Sequence, residues 1–485
     1  MPDKHFHLPE QGLSRAAILA QMEAARGHDV QWRQGQVFSL VFDAGDEVNE
    51  LAKAAYITFF SENGLNPTAF PSLRRFETEV VAMVGGLLGG DGRTAGNMTT
   101  GGTESILLAV LAAREWARAN RPKISRPEMV LPSTAHPAFD KAAHYFGVKA
   151  VRVPVGDDFR ADVEAMRHAI NLDTVLVVGS APSYPHGVVD PIADLAALAR
   201  QRGVLCHVDA CVGGMMLPFI RRIGYPAPPF EFTVPGVTSI SVDLHKYGYA
   251  AKGASVILYR DARLRRCQLY ATTDWPGGIY ASPTMTGTRP GGAIAAAWAV
   301  LNFLGAEGYL RIARTVMQTT VRLRDGINAL DGLRVLGRPE MSVLAIASDK
   351  DNIYEIGDEM GLRGWHLDRQ QLPPSLHLTV NYAHREAADR FLLDLAQSVQ
   401  AARQPSLRRS SNELAVKAAR TATKLLPGRL VSGVAGRASA LLGGEAGLPQ
   451  RSAAMYGMMG ALPNGGDLRE LVLDLLESFT TPGGK

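Results

Sequence analysis

Between Glu128 and Tyr259 the chain alternates short runs that are apolar nearly throughout with longer stretches of helical periodicity. Glu128 to Pro132, Lys149 to Pro154, Thr174 to Gly179, Val204 to Val208, Thr238 to Val242 and Ala254 to Tyr259 read as strands. Thr103 to Asn120, Ala138 to Phe146, Asp162 to Asn171 and Ala193 to Gln201 read as helices. Strands with no polar alternation must be covered on both faces, and helical connections supply the covering layers. The pattern therefore predicts an α/β domain with a mainly parallel sheet over residues 95–305, with ligands at the carboxyl ends of its strands.

The flanks read differently. Residues 1–94 form an N-terminal helical segment, including Phe76 to Leu88, which Gly89-Gly90-Asp91-Gly92 stops. Pro290 to Leu304 is a small-residue helix leading into a C-terminal α+β domain, 306–485. Within it, Ser342 to Ala347 and Leu376 to Val380 are strands, and Asn352 to Met360, Arg385 to Ala402 and Asp467 to Phe479 are helices. A basic insertion spans about 404–451, where eight Lys and Arg stand against Glu413 and Glu445. Leu414, Ala418, Ala422, Leu425 and Leu426 put one apolar face between Lys417, Arg420 and Lys424. Such a helix either packs on the protein with its basic face in water, the commoner outcome, or makes a peripheral contact with an anionic membrane through 405–450.

Composition excludes several classes. A net charge of +4 over 485 residues gives no argument for nucleic acid. Cys206, Cys211 and Cys267 form no metal-type pairs and no disulfide framework, and the first two sit in core-like or pocket-wall contexts. No metal is expected. Met1 to Gln11 is polar with no apolar leader, and no uninterrupted apolar window spans a bilayer, so the expected location is cytoplasmic.

Four motifs fall at strand or helix ends. Gly96 to Ser105 is rich in small residues and opens a helix, as a phosphate cradle or an ordinary turn would, with Thr100 and Thr103 as candidate hydroxyl donors. His136 follows a strand and can stack on a flat ring, or is a plain loop histidine. Asp209 ends an apolar strand and there needs a positive or donor partner, unless it caps the following turn. The run Ser239 to Gly253 ends a strand in the pair His245-Lys246, where desolvation frees a lysine amine to attack carbonyls. A phosphorylated aromatic aldehyde uses this combination: the lysine forms the imine, the acid keeps the ring nitrogen protonated, and the ring accepts electrons.

These motifs, with Gly179 to Gly187, Asp274 to Thr284, Gly287 to Gly291 and Met455-Tyr456-Gly457, make the chain resemble the group II decarboxylases of the fold-type I pyridoxal-phosphate enzymes. The Tyr247-Gly248-Tyr249 continuation and Gly277 to Pro283 are similar to the sphingosine-1-phosphate lyases within that group. The resemblance covers about 36–400 and 452–480. It implies that Lys246 carries the cofactor as a Schiff base, that Asp209 pairs with the ring nitrogen and that His136 stacks on the ring. Gly101, Gly102, Thr103, Ser180 and His245 would complete the cofactor site, with Thr288 reaching in from the neighbouring subunit of a homodimer. Lys252 would face the substrate phosphate, Tyr280 would join the substrate side, and Tyr184 and Tyr456 would line the entrance. Those lyases carry a tyrosine where this chain has Phe42 and a histidine where it has Asn66. Charge-assisted hydrogen bonds contribute roughly 1.5–3 kcal/mol each, so these changes bear on phosphate affinity.

The expected reaction is retro-aldol cleavage of a phosphorylated, amphipathic β-hydroxy amine. The alternatives are an amino-acid α-decarboxylase, a lyase acting on an unphosphorylated β-hydroxy amine, and a non-catalytic scaffold. An intact Lys246 and Asp209 argue against the last.

Overall fold

The structure is a computed structural model and describes residues 8–405, 453, 456 and 466–480. Three helices come first: α1 (Arg15–Ala25), α2 (Asp46–Thr58) and α3 (Pro71–Leu87). The last begins earlier than Phe76 because Pro71 sits in its first turn, where a missing N–H leaves no bond unmade.

The chain then runs β1 (Ala95–Thr99), α4 (Gly102–Asn120), β2 (Glu128–Pro132), α5 (Ala138–Phe146), β3 (Lys149–Val153) and α6 (Val163–Ala169). It continues β4 (Thr174–Ser180), α7 (Ile192–Arg202), β5 (Leu205–Asp209), α8 (Leu217–Arg222), β6 (Ser239–Asp243) and β7 (Ser255–Tyr259). These strands form one seven-stranded sheet in the order β1-β7-β6-β5-β4-β2-β3. Pairing is parallel from β3 through β6, and β7 runs antiparallel to both β6 and β1. Alternate side chains serve opposite faces: Met129 and Leu131 pack with α4 and α5, and Val130 packs with α7 and α8.

Strand β1 differs from the sequence expectation, which places Gly96 to Thr99 in the loop. The segment is short and polar, but it closes the sheet edge against β7. Its glycine has a steric reason: a Cβ on Gly96 would lie 2.4 Å from the Ile257 carbonyl oxygen.

After α9 (Ala262–Arg266) comes a hairpin, β8 (Tyr270–Thr272) and β9 (Tyr280–Ser282), then α10 (Gly291–Ala329), interrupted at Gly305 with φ 52° and ψ −172°. Among the described residues α10 alone is long and apolar enough to cross a membrane, yet its apolar side chains are largely core. A second, antiparallel sheet follows in the order β10-β11-β13-β12: β10 (Leu333–Val335), β11 (Val343–Ser348), β12 (Asp368–Gln371) and β13 (Pro374–Thr379). It packs against α11 (Ile353–Leu362) and α12 (Ala388–Arg403) around Leu376, Leu378 and Phe391. Phe38 is buried in the same cluster, and Val37 bridges to His366, so the N-terminal segment reaches this lobe. Helix α13 (Gly466–Thr480) ends the described chain. Beyond Pro405, the basic segment 404–451 lies outside the described residues.

Candidate active site

A pocket of about 580 Å³ opens beyond the carboxyl ends of β5 and β6. The start of α4 forms one wall, and Asp368 and Thr379 of the second sheet form another. Its floor is built by the turn after β6. Once the apolar strand ends, Asp243, His245 and Lys246 all face the pocket, and Lys246 Nζ lies 2.9 Å from Asp243 Oδ2. Two hydrogen bonds pin the turn. Tyr247 Oη donates to the Val380 carbonyl at 2.6 Å, and Tyr309 Oη donates to the Gly248 carbonyl at 2.9 Å. Tyr249 is held buried at φ 56°, a left-handed conformation that a bulky side chain adopts only under tertiary constraint.

The electrostatics follow from burial and pairing. Burial works against the charge on Lys246, but the acidic groups around it, the Asp243 carboxylate foremost, together outweigh burial and raise the lysine above its ordinary range. Burial also opposes the charge on Asp243, yet Lys246 and His245 hold its carboxyl below the usual value. Desolvation lowers His245, and burial pushes the Cys211 thiol far up. Desolvation and the nearby Lys246 lower Lys252 as well.

The glycine-rich turn lies against this floor. Gly101 caps α4 in an extended conformation, leaving the first-turn N–H groups without intrahelical partners. Gly102 must lack a side chain, since a Cβ there would lie 2.8 Å from Cys211 Sγ and 2.9 Å from either Asp243 oxygen. Thr103 is exposed to the pocket. The Thr100 hydroxyl is not free for an anion, because with the Thr100 N–H it donates to Glu104 Oε2, each at 2.7 Å. Glu104 Oε1 accepts from the Met285 N–H, so this buried acid clamps the turn from below.

Asp209 Oδ1 accepts from the Cys211 N–H at 3.1 Å and from Ser241 Oγ at 3.4 Å. Behind it, His207 is wholly buried between Ser239 and Ser241, and burial depresses its pKa to about 4. His136 also lines the pocket, and its Nδ1 accepts from the Ala138 N–H. At the mouth, Tyr184 Oη donates to Asp368 Oδ2 at 3.0 Å, and its ring stacks on His377 at 4.1 Å. Lys252 Nζ lies 5.5 Å from the centre of the Phe42 ring and donates to the His245 carbonyl at 3.5 Å.

The pocket thus gathers Lys246, His245, Asp209, His136, Gly101, Gly102, Thr103, Tyr184, Lys252 and Phe42. Five other expected residues lie outside its lining. Ser180 is buried at the end of β4, its N–H on Asp190, beside Asp209 in the sheet register. Asn66 is exposed and caps a turn through Thr68. Thr288 is exposed, its hydroxyl on Asn63. Tyr280 belongs to the hairpin against Tyr270, and Tyr456 packs near Tyr354 and Arg369. Sequence reasoning passed over Asp243, Glu104, His207 and Asp368. The first two had local signals, an acid three residues before a lysine and one at the third position of a helix. Asp368 had none, since it comes from a different sheet.

The donor set fits a phosphorylated pyridine aldehyde. His245 Nδ1 is buried without a hydrogen-bond partner, the α4 turn offers N–H groups for an anion, a ring-proton partner stands at Asp209, and an amine lies between them. The pyridoxal-dependent decarboxylase conserved domain matches residues 2–346. The chain is 41% identical to the sphingosine-1-phosphate lyase of Oryza sativa subsp. japonica over 97% of this chain and 81% of that protein. It is 43% identical to sphingosine-1-phosphate lyase 1 of Rattus norvegicus over 81% of this chain and 69% of that protein. The solved sphingosine-1-phosphate lyase of Burkholderia pseudomallei K96243 superimposes with a TM-score of 0.80 at 41% identity, covering 84% of this chain and 96% of that one. Lactobacillus brevis glutamate decarboxylase, at 19% identity and a TM-score of 0.74, shares the fold over 83% of this chain and 96% of that one. The expected fold-type I architecture is therefore the one adopted, and the chain belongs to the pyridoxal-dependent decarboxylase family, within its sphingosine-1-phosphate lyase group.

Proposed function

We propose that this protein is a pyridoxal-phosphate-dependent carbon–carbon lyase that cleaves a phosphorylated long-chain base of the sphingosine 1-phosphate type into a fatty aldehyde and phosphoethanolamine. The observation that carries the reading is two lysines in one pocket, Lys246 on the floor and Lys252 at the rim. Relatives at 41% and 43% identity that are named as such lyases support it.

Pyridoxal phosphate, when bound, supplies a ring that takes up the electron pair released as the Cα–Cβ bond breaks. Gly101, Gly102, Thr103 and His245 would hold its phosphate, Asp209 its ring nitrogen and His136 one face of its ring. Lys246 would be the covalent anchor, and its amine would serve to return a proton at Cα. Tyr184, whose hydroxyl donates to Asp368, would help to carry away the β-hydroxyl proton. Lys252 supplies the positive charge for the substrate phosphate, with Phe42 beside it offering no hydrogen bond.

We further read the working unit as a homodimer with the site at the subunit interface. In the single chain Thr288 lies exposed outside the pocket, and a second copy would bring it to the cofactor phosphate. The matching location is cytoplasmic, with contact between the 405–450 segment and anionic membranes as the less common alternative; equal flotation with liposomes after deletion of that segment would remove that alternative.

The test is product analysis on cofactor-loaded protein with sphingosine 1-phosphate beside its unphosphorylated parent. Long-chain aldehyde and phosphoethanolamine from the phosphate alone is the expected result. No turnover of either, with carbon dioxide released from an amino acid, would replace the lyase by a decarboxylase.

A further inference from the structure

Lys246 has a second acid in its surroundings besides Asp209, and it is the nearer one. Asp243 closes β6 three residues before the lysine, is 3% exposed, and places Oδ2 2.9 Å from Lys246 Nζ and 3.8 Å from His245 Nε2. It faces the pocket from beneath the start of α4, so close to Gly102 that no side chain fits between them. A helix N-terminus favours negative charge there. The lysine holds Oδ2, while Oδ1, beside the start of α4, is buried without a hydrogen-bond partner.

We propose that Asp243 is a positioning residue for Lys246: it fixes Nζ at the pocket floor and governs whether that amine is charged. The inference rests on the reading of Lys246 as cofactor anchor. Every other ionisable group facing the lysine is weaker or of the wrong sign. Asp209, on β5, bonds to Cys211 and Ser241 rather than to the lysine. Cys211, on the turn after β5, is kept a neutral thiol by burial and adds no charge. His245, from the same turn as the lysine, is desolvated toward its neutral form. Lys252, whose amine donates to the His245 carbonyl, repels a second ammonium. His136 lines the pocket and makes no ion pair with the lysine's partner Asp243. Burial alone would favour a neutral amine at Lys246, so removing the Asp243 charge removes the interaction that keeps the lysine protonated. A protonated lysine does not attack an aldehyde, so the carboxylate sets the pH range in which the anchor forms.

The experiment compares wild type, Asp243→Asn, Asp243→Ser and Asp243→Glu, each stripped of cofactor and then mixed with pyridoxal phosphate from about pH 6 to about pH 10. Capture is followed by growth of the visible absorption band, and borohydride reduction with peptide mapping identifies the modified lysine. The ligand's own ionisation is common to all four proteins and cancels in the comparison. The expected result is a capture profile displaced toward acid by about one unit or more in the neutral variants, with Asp243→Glu restored toward wild type. Superimposable profiles in wild type and whichever neutral variant folds would overturn the proposal, since loss of a merely structural contact changes the amount of competent protein and not the midpoint. Modification mapped in wild type to a lysine other than Lys246 would instead overturn the anchor assignment.

Discussion

Lys252→Met tests the proposed role of Lys252 in binding the substrate phosphate. Methionine keeps an unbranched stem against the Phe42 ring, whose centre lies 5.5 Å from Nζ, and removes only the charge. In the described structure Lys252 Nζ makes one long hydrogen bond, to the His245 carbonyl at 3.5 Å, so the loss should leave the floor of the site in place. A charge-assisted bond to a phosphate contributes roughly 1.5–3 kcal/mol, which corresponds to about a tenfold to 150-fold loss in kcat/KM. The loss should fall on sphingosine 1-phosphate and spare the unphosphorylated base. The assay is therefore the ratio of kcat/KM for the two substrates, measured by aldehyde release on protein that retains its visible cofactor band. Because desolvation and Lys246 lower the pKa of Lys252, its charge is lost at lower pH than that of a free lysine. The wild-type ratio should therefore fall as pH rises toward about 10, while Lys252→Arg, which stays charged, should hold it. An unchanged ratio in Lys252→Met would refute the assignment.

Four further outcomes are expected. Lys246→Ala should bind cofactor without a borohydride-stable link to the protein; a trapped adduct at another lysine would move the anchor. Asp209→Ala should retain cofactor weakly and lose turnover, and near-normal turnover would remove its role at the ring nitrogen. Gly102→Ala puts a Cβ 2.8 Å from Cys211 Sγ and 2.9 Å from the Asp243 oxygens, so cofactor retention on dialysis should drop sharply. Phe391→Ala empties the centre of the C-terminal cluster, where the ring lies 4.9 Å from Phe38 and 5.1 Å from Trp365, and should cost about 3–5 kcal/mol in denaturant unfolding.

The elements legible in the sequence were those whose burial is decided by their own residues. β2, β4, β6 and β7 are buried at every position, and a strand hidden on both faces has no polar alternation to confuse its reading. Asp209 and Lys246 were singled out because they stand near the ends of apolar runs among motifs that resemble those of pyridoxal-phosphate enzymes, whereas Asp243, at the end of β6, was passed over. β1 was not legible, because Ala95 to Thr99 is a strand only by pairing with β7, a partner far along the chain.

What the chain determined by itself is the α/β alternation, the order of the motifs and the small residues the close approaches require. What only the tertiary structure decided is which charges meet. Their places at strand ends and the family resemblance put Asp209 and Lys246 in one site, but the register of β5 beside β6 sends Asp209 to Cys211 and Ser241, and the sharp turn after β6 folds Lys246 back onto Asp243. Likewise Tyr184 finds Asp368 only because the second sheet packs over the mouth of the first. Side-chain pairing at a distance of about 3 Å depends on how separate elements dock, and no local pattern in a sequence encodes that docking.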